Sequence, residues 1–209
     1  MFEQQTLILF ILASMLLLVI PGPAVIYIVA RSVSQGTASG LVATAGIHVG
    51  TLVHIVAAAY GVSSLLMTST SAFNIVKYLG AAYLVYLGVR SFLRKTEPAS
   101  APGEKPERRA LFAIFRESIL VNVLNPKTAL FFFAFLPQFV DAAGGSSVAS
   151  QIIVLGLIFI AVGILSDGLY AVFAGLVGDR LQRVGNGYGK YITGTVFTGL
   201  GIVTAFARR

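Results

Sequence analysis

The sequence contains no cysteine and few charged residues. The absence of cysteine excludes disulfides, thiolate metal sites and cysteine nucleophiles. Only 11% of the 209 residues are charged, which is less than half of the roughly 25% found in soluble globular domains. The two histidines are not accompanied by paired carboxylates, so we predict neither a metal site nor a cofactor.

Apolar residues make up 56% of the chain, and the mean hydropathy is +0.87. Six apolar runs each reach the ~20 residues needed to cross ~30 Å of hydrocarbon. They lack the alternating pattern of a membrane β-barrel. The sequence therefore predicts an all-α polytopic membrane protein of about six transmembrane helices, forming one domain over residues 1–209. The six runs are Leu7–Ala30, Gly40–Met67, Phe73–Leu93, Leu111–Val140, Gln151–Gly178 and Tyr188–Ala207.

The longest polar stretch, residues 94–110, predicts a loop between the third and fourth helices. If this loop is cytoplasmic, eleven basic residues lie on its side of the membrane and three on the other. Basic loops favour the cytoplasm, so we expect a bacterial inner-membrane protein with both termini outside. The terminal pair Arg208-Arg209 opposes this orientation, which leaves a five-span form as the alternative.

The two halves of the chain resemble each other. At an offset of 113 residues, Lys77-Tyr78-Leu79 matches Lys190-Tyr191-Ile192 and His54 falls on Asp167; at an offset of 105, Pro21 falls on Pro126. We therefore expect two repeats, the first covering residues 1–93 and the second residues 111–209, with the loop 94–110 between them. Because each unit has three helices, the second must be inverted in the membrane, as in many transporters whose substrate site lies at the midplane.

The first predicted helix is interrupted by Pro21, Gly22 and Pro23. Each proline removes an N–H donor and clashes with the preceding turn, so carbonyls near Val19 and Ile20 should lose their helical partners. Such backbone is tolerated at membrane depth only where protein or water covers it. The half-helix that follows would present free N–H groups, which suit a carboxylate. A purely structural kink is the alternative interpretation.

The fourth predicted helix is interrupted at Asn125-Pro126, close to Asn122 and Lys127. The two asparagines offer both hydrogen-bond donors and acceptors. Lys127 places a cation well inside an apolar run, which costs several kcal/mol unless it reaches water, a counter-ion or a substrate anion. We predict that Asn122, Asn125, Pro126 and Lys127 join the first break in a substrate site. Snorkelling of Lys127 to an interface is the alternative.

Asp167 is the acidic residue in the middle of a predicted span. It follows Gly163 by one helical turn, as His54 follows Gly50, and small residues at this spacing let helices approach closely. We therefore expect both side chains to face the bundle interior. Asp167 could pair with Lys127, bind a substrate ammonium or carry a coupling proton, and His54 could share proton coupling. A buried structural role is the alternative for both, and His48 is a weaker candidate.

The order of these motifs resembles that of a known family, the LysE/RhtB superfamily of amino-acid exporters, and specifically its RhtB branch, associated with homoserine, threonine and related amino acids. The resemblance covers nearly the whole chain, and it implies export of neutral amino acids driven by proton exchange. The matching motifs are Pro21-Gly22-Pro23, Arg31-Ser32-Val33-Ser34-Gln35-Gly36, Lys77-Tyr78-Leu79-Gly80, Asn125-Pro126-Lys127 and Leu136-Pro137-Gln138-Phe139.

The predicted partners are a small-molecule amino-acid substrate and the lipid bilayer, with a homodimer left open. The net charge of +7 is explained by membrane orientation rather than by nucleic acid. Ala24 stands where many family members carry a polar residue, so the sequence leaves the particular substrate open. Export of another small solute or a cation is the alternative. An intramembrane enzyme is disfavoured, because the chain lacks a paired aspartate, a serine–histidine dyad and a zinc motif.

Overall fold

The computed structural model describes residues 2–68, 109–141 and 145–176, together with single positions between 71 and 93. All regular structure in these residues is helical, and the chain is an all-α polytopic membrane protein, as the sequence predicts. The helices are α1 (Gln4–Val19), α2 (Pro23–Gln35), α3 (Thr37–Thr68), α4 (Leu111–Val123), α5 (Pro126–Leu130) and α6 (Val148–Leu176).

Two of the spans are broken helices, which confirms the breaks expected from the prolines. The axis turns by 53° between α1 and α2, and by 48° between α4 and the helical segment that starts at Pro126. In both spans the helix restarts with a proline in its first turn. Proline is suited to that position, because the N–H that it lacks would have no helical partner there.

The segment that follows α5 does not continue as an α-helix. It widens into a π-helix over Phe131–Phe135 and tightens into a 3-10 turn over Leu136–Phe139. Pro137 explains the change, since it has no N–H to donate to the carbonyl of Phe133 and the α pattern cannot pass through it. The Gln138 side chain donates to the Ala134 carbonyl at 3.1 Å, which satisfies one of the carbonyls near the distortion.

Helices α3 and α6 are each long and apolar enough to cross a membrane, and each bent pair meets the same test as one span. The described residues thus provide up to four of the six predicted spans. Single positions of the third run, including Ile75, Tyr78 and Tyr86, are helical and exposed. The sixth run lies outside the described residues, so the inverted arrangement of the two units stays a prediction.

Helix α3 lies at the centre of the bundle, against α2, α4 and α6. Glycines allow the close approach: a Cβ added at Gly50 would lie 2.9 Å from the Ile119 carbonyl oxygen of α4. On the outside of the bundle, large apolar side chains such as Leu12 and Leu157 are about half exposed. A bilayer is the solvent in which such an exposed apolar face is stable.

The loop between α2 and α3 and the start of α4 lie at the same end of the bundle. The Gln35 side chain exchanges hydrogen bonds with the Arg109 backbone, at 2.9 Å and 3.1 Å. The end of α6 is there too, because a Cβ added at Gly175 would lie 2.7 Å from the Thr37 nitrogen. The loops predicted to be cytoplasmic therefore begin or end on one side.

The same end is reinforced by charge. Glu117 of α4 accepts from the Tyr27 hydroxyl at 2.7 Å and from the Arg109 guanidinium at 2.9 Å, and Arg31 lies 3.6 Å away. These contacts connect the second half of the first broken span to the first half of the second. Arg31 and Arg109 are two of the basic residues counted above, and both lie at this end of the bundle.

We predict that this face is cytoplasmic, because basic loops are retained there. The protein contains no cysteine, so an introduced cysteine is its only target for a maleimide. Ser100→Cys, in the predicted cytoplasmic loop, should resist labelling by a membrane-impermeant maleimide in intact cells. Gly145→Cys, between the second broken span and α6, should label readily; Gly145 is exposed and a Cβ there meets nothing within 4 Å. The reverse pattern would overturn the orientation.

Candidate functional site

The two helix breaks face each other in the interior. The Lys127 ammonium Nζ donates to the Ile20 carbonyl oxygen at 2.7 Å, although the two residues lie in different spans. A Cβ added at Gly22 would lie 3.0 Å from the Lys127 side chain, so glycine leaves room for it. Lys127 is only 8% exposed. Its side chain therefore points inward to the first break rather than snorkelling to an interface.

Two backbone carbonyls at the end of α1, which lose their helical partners at the first break, receive side-chain donors. Ile20 accepts from Lys127, and Val19 accepts from the Tyr170 hydroxyl of α6 at 2.6 Å. An unsatisfied backbone group in hydrocarbon costs several kcal/mol. The two donors thus remove the main penalty of breaking a helix at this depth, and they hold α1 against α5 and α6.

Asn122 organises the second break. Its amide nitrogen donates to the Ile47 carbonyl at 2.8 Å and to the Thr51 hydroxyl at 2.9 Å, while its oxygen accepts from the Thr128 hydroxyl at 3.0 Å. These bonds link the end of α4 to α3 and to the start of α5. Asn122 is 1% exposed. Its polar atoms are committed to the structure of the break.

Asn125 caps the restarted helix. Its side-chain oxygen accepts from the Lys127 backbone N–H at 3.1 Å, which satisfies one of the donors that a helix start leaves free. At the first break, by contrast, Gly22 has no side chain and α2 starts without a side-chain cap. Of the two helix starts, that of α2 is the one whose N–H groups lack a side-chain cap.

Asp167 faces His48 rather than forming an ion pair with Lys127. The His48 Nε2 atom lies 3.3 Å from Asp167 Oδ2, and the residues are 5% and 2% exposed. The alignment does not make a hydrogen bond. Both ring nitrogens of His48 and the Oδ1 atom of Asp167 have no hydrogen-bond partner among the described residues. Buried polar groups without partners are uncommon and call for an explanation.

His54 does not line the cavity that Asp167 and His48 share, but it contacts Asn122, which does. Its Nε2 contacts the Asn122 carbonyl oxygen at 2.9 Å, and its ring stacks on Phe132 with the centroids 6.2 Å apart. The expected inward orientation is therefore present, but the partners of His54 belong to the α4 break and to the aromatic core.

The breaks, His48 and Asp167 surround one small cavity. Five of the predicted site residues line it, namely Gly22, Asn122, Asn125, Lys127 and Asp167, whereas Pro21, Pro23, Pro126 and His54 are outside the lining. The sequence interpretation gave His48 little weight, because the spacing from Gly50 and the match to Asp167 favoured His54. The other lining residues are Leu17, Leu18, Ala24, Val25, Ile47, His48, Thr128 and Phe159.

The cavity encloses little space, at a depth along α4 that suits the predicted midplane site. Asn122 is eleven residues from the start of α4, which is roughly 17 Å along the helix at 1.5 Å per residue. Half of a ~30 Å hydrocarbon layer is the same depth. The volume of about 30 Å³ holds roughly one or two waters, and a solute the size of an amino acid requires the lining to separate.

An aromatic cluster closes the cavity towards the end opposite Arg109. Phe131 packs against Phe10, Phe135 and Phe159, with ring centroids 6.0, 5.5 and 4.6 Å apart. All four rings are nearly or fully buried. Phe131 and Phe135 belong to the π-helix, a distortion that is frequent at functional sites, so the wall of the cavity on this side is built on irregular backbone.

Comparisons with known proteins agree on one family. The family model described as LysE type translocator matches residues 15–208. The chain is 34% identical to an uncharacterised membrane protein of Pseudomonas aeruginosa, over 95% of this chain and 94% of that one. It is 28% identical to a leucine efflux protein of Salmonella typhimurium, over 91% of this chain and 90% of that one. No solved structure is significantly similar.

The Asn122 network yields a prediction on stability. Asn122→Ala should destabilise the protein by about 2 kcal/mol, because it removes two donated hydrogen bonds and leaves buried partners unsatisfied. Thr44→Ala is the control, since the Thr44 hydroxyl bonds the Gly40 carbonyl of its own helix and no other group in the described ranges. Unfolding by SDS in mixed micelles measures both. Equal shifts in the two variants would show that Asn122 does not organise the break.

Proposed function

This chain belongs to the family of LysE-type translocators, and from that premise we propose that it exports neutral amino acids from the cytoplasm in exchange for protons. Membership makes it a transporter of amino acids or similar small solutes rather than an enzyme. The finer proposal covers homoserine, threonine and other neutral amino acids, leucine among them, since related proteins are named leucine efflux proteins. The bacterial inner membrane is its proposed location.

The observation that carries the proposal is the presence of opposite charges in one buried cavity. Lys127 and Asp167 both line it. An amino acid is a zwitterion, and a site of low dielectric must satisfy its carboxylate and its ammonium together. A cavity with one cation and one carboxylate matches that requirement. A site for a simple cation is disfavoured, because Lys127 would repel it.

The substrate carboxylate is proposed to bind between Lys127 and the start of α2. Lys127 reaches the first break, and the uncapped start of α2 adds N–H donors and the positive end of its dipole. In the closed structure the ammonium of Lys127 is bound to the Ile20 carbonyl. An incoming carboxylate would compete for that ammonium, so substrate binding would loosen the contact between the two breaks.

The substrate ammonium is proposed to bind Asp167. Oδ1 is buried and has no hydrogen-bond partner among the described residues, so it can accept a donor without disrupting a contact. The amide groups of Asn122, in contrast, are engaged in the break. The apolar lining, with Leu17, Val25 and Phe159, supports a substrate whose side chain is small and uncharged.

Replacing Asp167 tests the function directly. Cells that express the protein should tolerate toxic concentrations of at least one of leucine, threonine and homoserine and should excrete it. Asp167→Asn should abolish both effects while the protein remains in the membrane, because removal of an intramembrane charge does not hinder insertion. Asp141→Asn is the matched control, since Asp141 is exposed at the far end of the bundle. Wild-type export by Asp167→Asn would make Asp167 structural.

Replacing Lys127 tests the carboxylate site. Lys127→Met should raise the substrate concentration for half-maximal export about tenfold or more, because a hydrogen bond to a charged group contributes about 1.5–3 kcal/mol. Arg116→Met removes a cation from the exposed face of α4 and should leave this concentration unchanged. The measurement is the initial export rate against internal substrate concentration. An unchanged half-maximal concentration in Lys127→Met would assign Lys127 to structure alone.

A further inference from the structure

We infer that His48 and Asp167 together form the proton-exchange site, with His48 as the residue that takes up and releases the proton. The inference rests on the proposed amino-acid/proton antiport and names the groups that would couple it. The sequence had pointed to His54 as the histidine in this role. The structure distinguishes the two histidines by their contacts.

The packing of α3 against α6 is built around the His48 ring. A Cβ added at Gly163 would lie 2.5 Å from His48 Cε1, so only glycine leaves room for the imidazole at this crossing. Gly163 precedes Asp167 by one helical turn, and side chains at this spacing share a helix face. The notch at Gly163 thus places the ring against the Asp167 carboxylate, 3.3 Å away.

The His48–Asp167 pair has unused hydrogen-bonding atoms that could bind a proton or a substrate ammonium. His48 Nδ1 and Nε2 and Asp167 Oδ1 are buried without hydrogen-bond partners among the described residues, and both residues line the cavity. A buried carboxylate without a compensating cation is costly. An imidazolium proton or a substrate ammonium can each supply that compensation, and the two would not be needed at once.

Few other ionisable groups surround the pair within the described part of the chain. Lys127, from the α4–α5 break, is the third ionisable residue in the lining. Tyr170 of α6 donates its hydroxyl to Val19, and His54 of α3 contacts the Asn122 carbonyl. On the other helices packed against α3, Tyr27 and Arg31 of α2 contact Glu117 of α4 at the Arg109 end, and Arg116 is on the exposed face. α1 contributes Leu17 and Leu18 to the lining, which do not titrate.

The exchange balances one proton against one amino acid. With the substrate absent, His48 holds a proton as imidazolium beside ionised Asp167, and the pair is neutral. When the substrate ammonium binds Oδ1 from the cytoplasm, its charge beside the imidazolium favours loss of the ring proton to cytoplasmic water. After the site opens outward and the amino acid leaves, His48 takes a proton from the outside, which restores the neutral pair.

Reconstituted protein tests the inference with radiolabelled leucine, threonine and homoserine. Two assays are compared: exchange of labelled against unlabelled substrate at equal pH, and accumulation driven by an acidic vesicle interior. His48→Gln should retain exchange and lose accumulation, because the site still binds substrate but cannot carry the proton. His54→Gln is the matched control, a second buried histidine of α3, and should retain both.

A second variant covers the case in which His48→Gln is unstable. Gly163→Ala keeps both titratable residues and displaces the ring from Asp167, so accumulation should fall while exchange remains. Accumulation at the wild-type level in either stable variant, with an unchanged pH profile, would overturn the inference while leaving the proposed export intact. Absence of exchange in the wild type, for all three substrates, would instead refute the proposed function and the inference with it.

Discussion

The structure depends on the need to satisfy backbone carbonyls that prolines have set free inside a membrane. In water such carbonyls would be hydrated, but in hydrocarbon each would cost several kcal/mol. The protein supplies donors from other spans to two carbonyls at the end of α1, Lys127 to Ile20 and Tyr170 to Val19. The donors come from α5 and α6, so the break in the first span also determines which helices pack around it. The cavity lies where these elements meet.

Much of this arrangement could be predicted from the sequence. Pro21-Gly22-Pro23 and Asn125-Pro126 fixed the positions of both breaks, because proline acts locally and does not depend on tertiary packing. The depth of Lys127 in an apolar run indicated an inward side chain, since the cost of exposing it to lipid is independent of the fold. The partner of Lys127 was not predictable in the same way. It is a backbone carbonyl, and a sequence does not show which carbonyl a distant side chain reaches.

The partner of Asp167 was harder to predict for a related reason. The match at an offset of 113 residues brought His54 and Asp167 to equivalent positions of the two halves, but equivalent positions need not touch. Which histidine faces Asp167 depends on the rotation of α3 about its axis relative to α6. That rotation follows from close contacts such as those at Gly50 and Gly163. The sequence marks both glycines as sites of close approach, but it does not show which side chain fills the space beside each.

The two breaks occupy matching places in the predicted repeat but differ in chemistry. The second break is stabilised by its own asparagines, because Asn125 caps the helix start and Asn122 forms hydrogen bonds with α3 and with Thr128. The first break has glycine where a cap would be and depends on Lys127 from the other half. A symmetric site would offer the same groups to both ends of a ligand. This one gathers its cation and uncapped N–H groups at one break and its carboxylate on α6, which is the asymmetry that a zwitterion requires in order to bind in a single orientation.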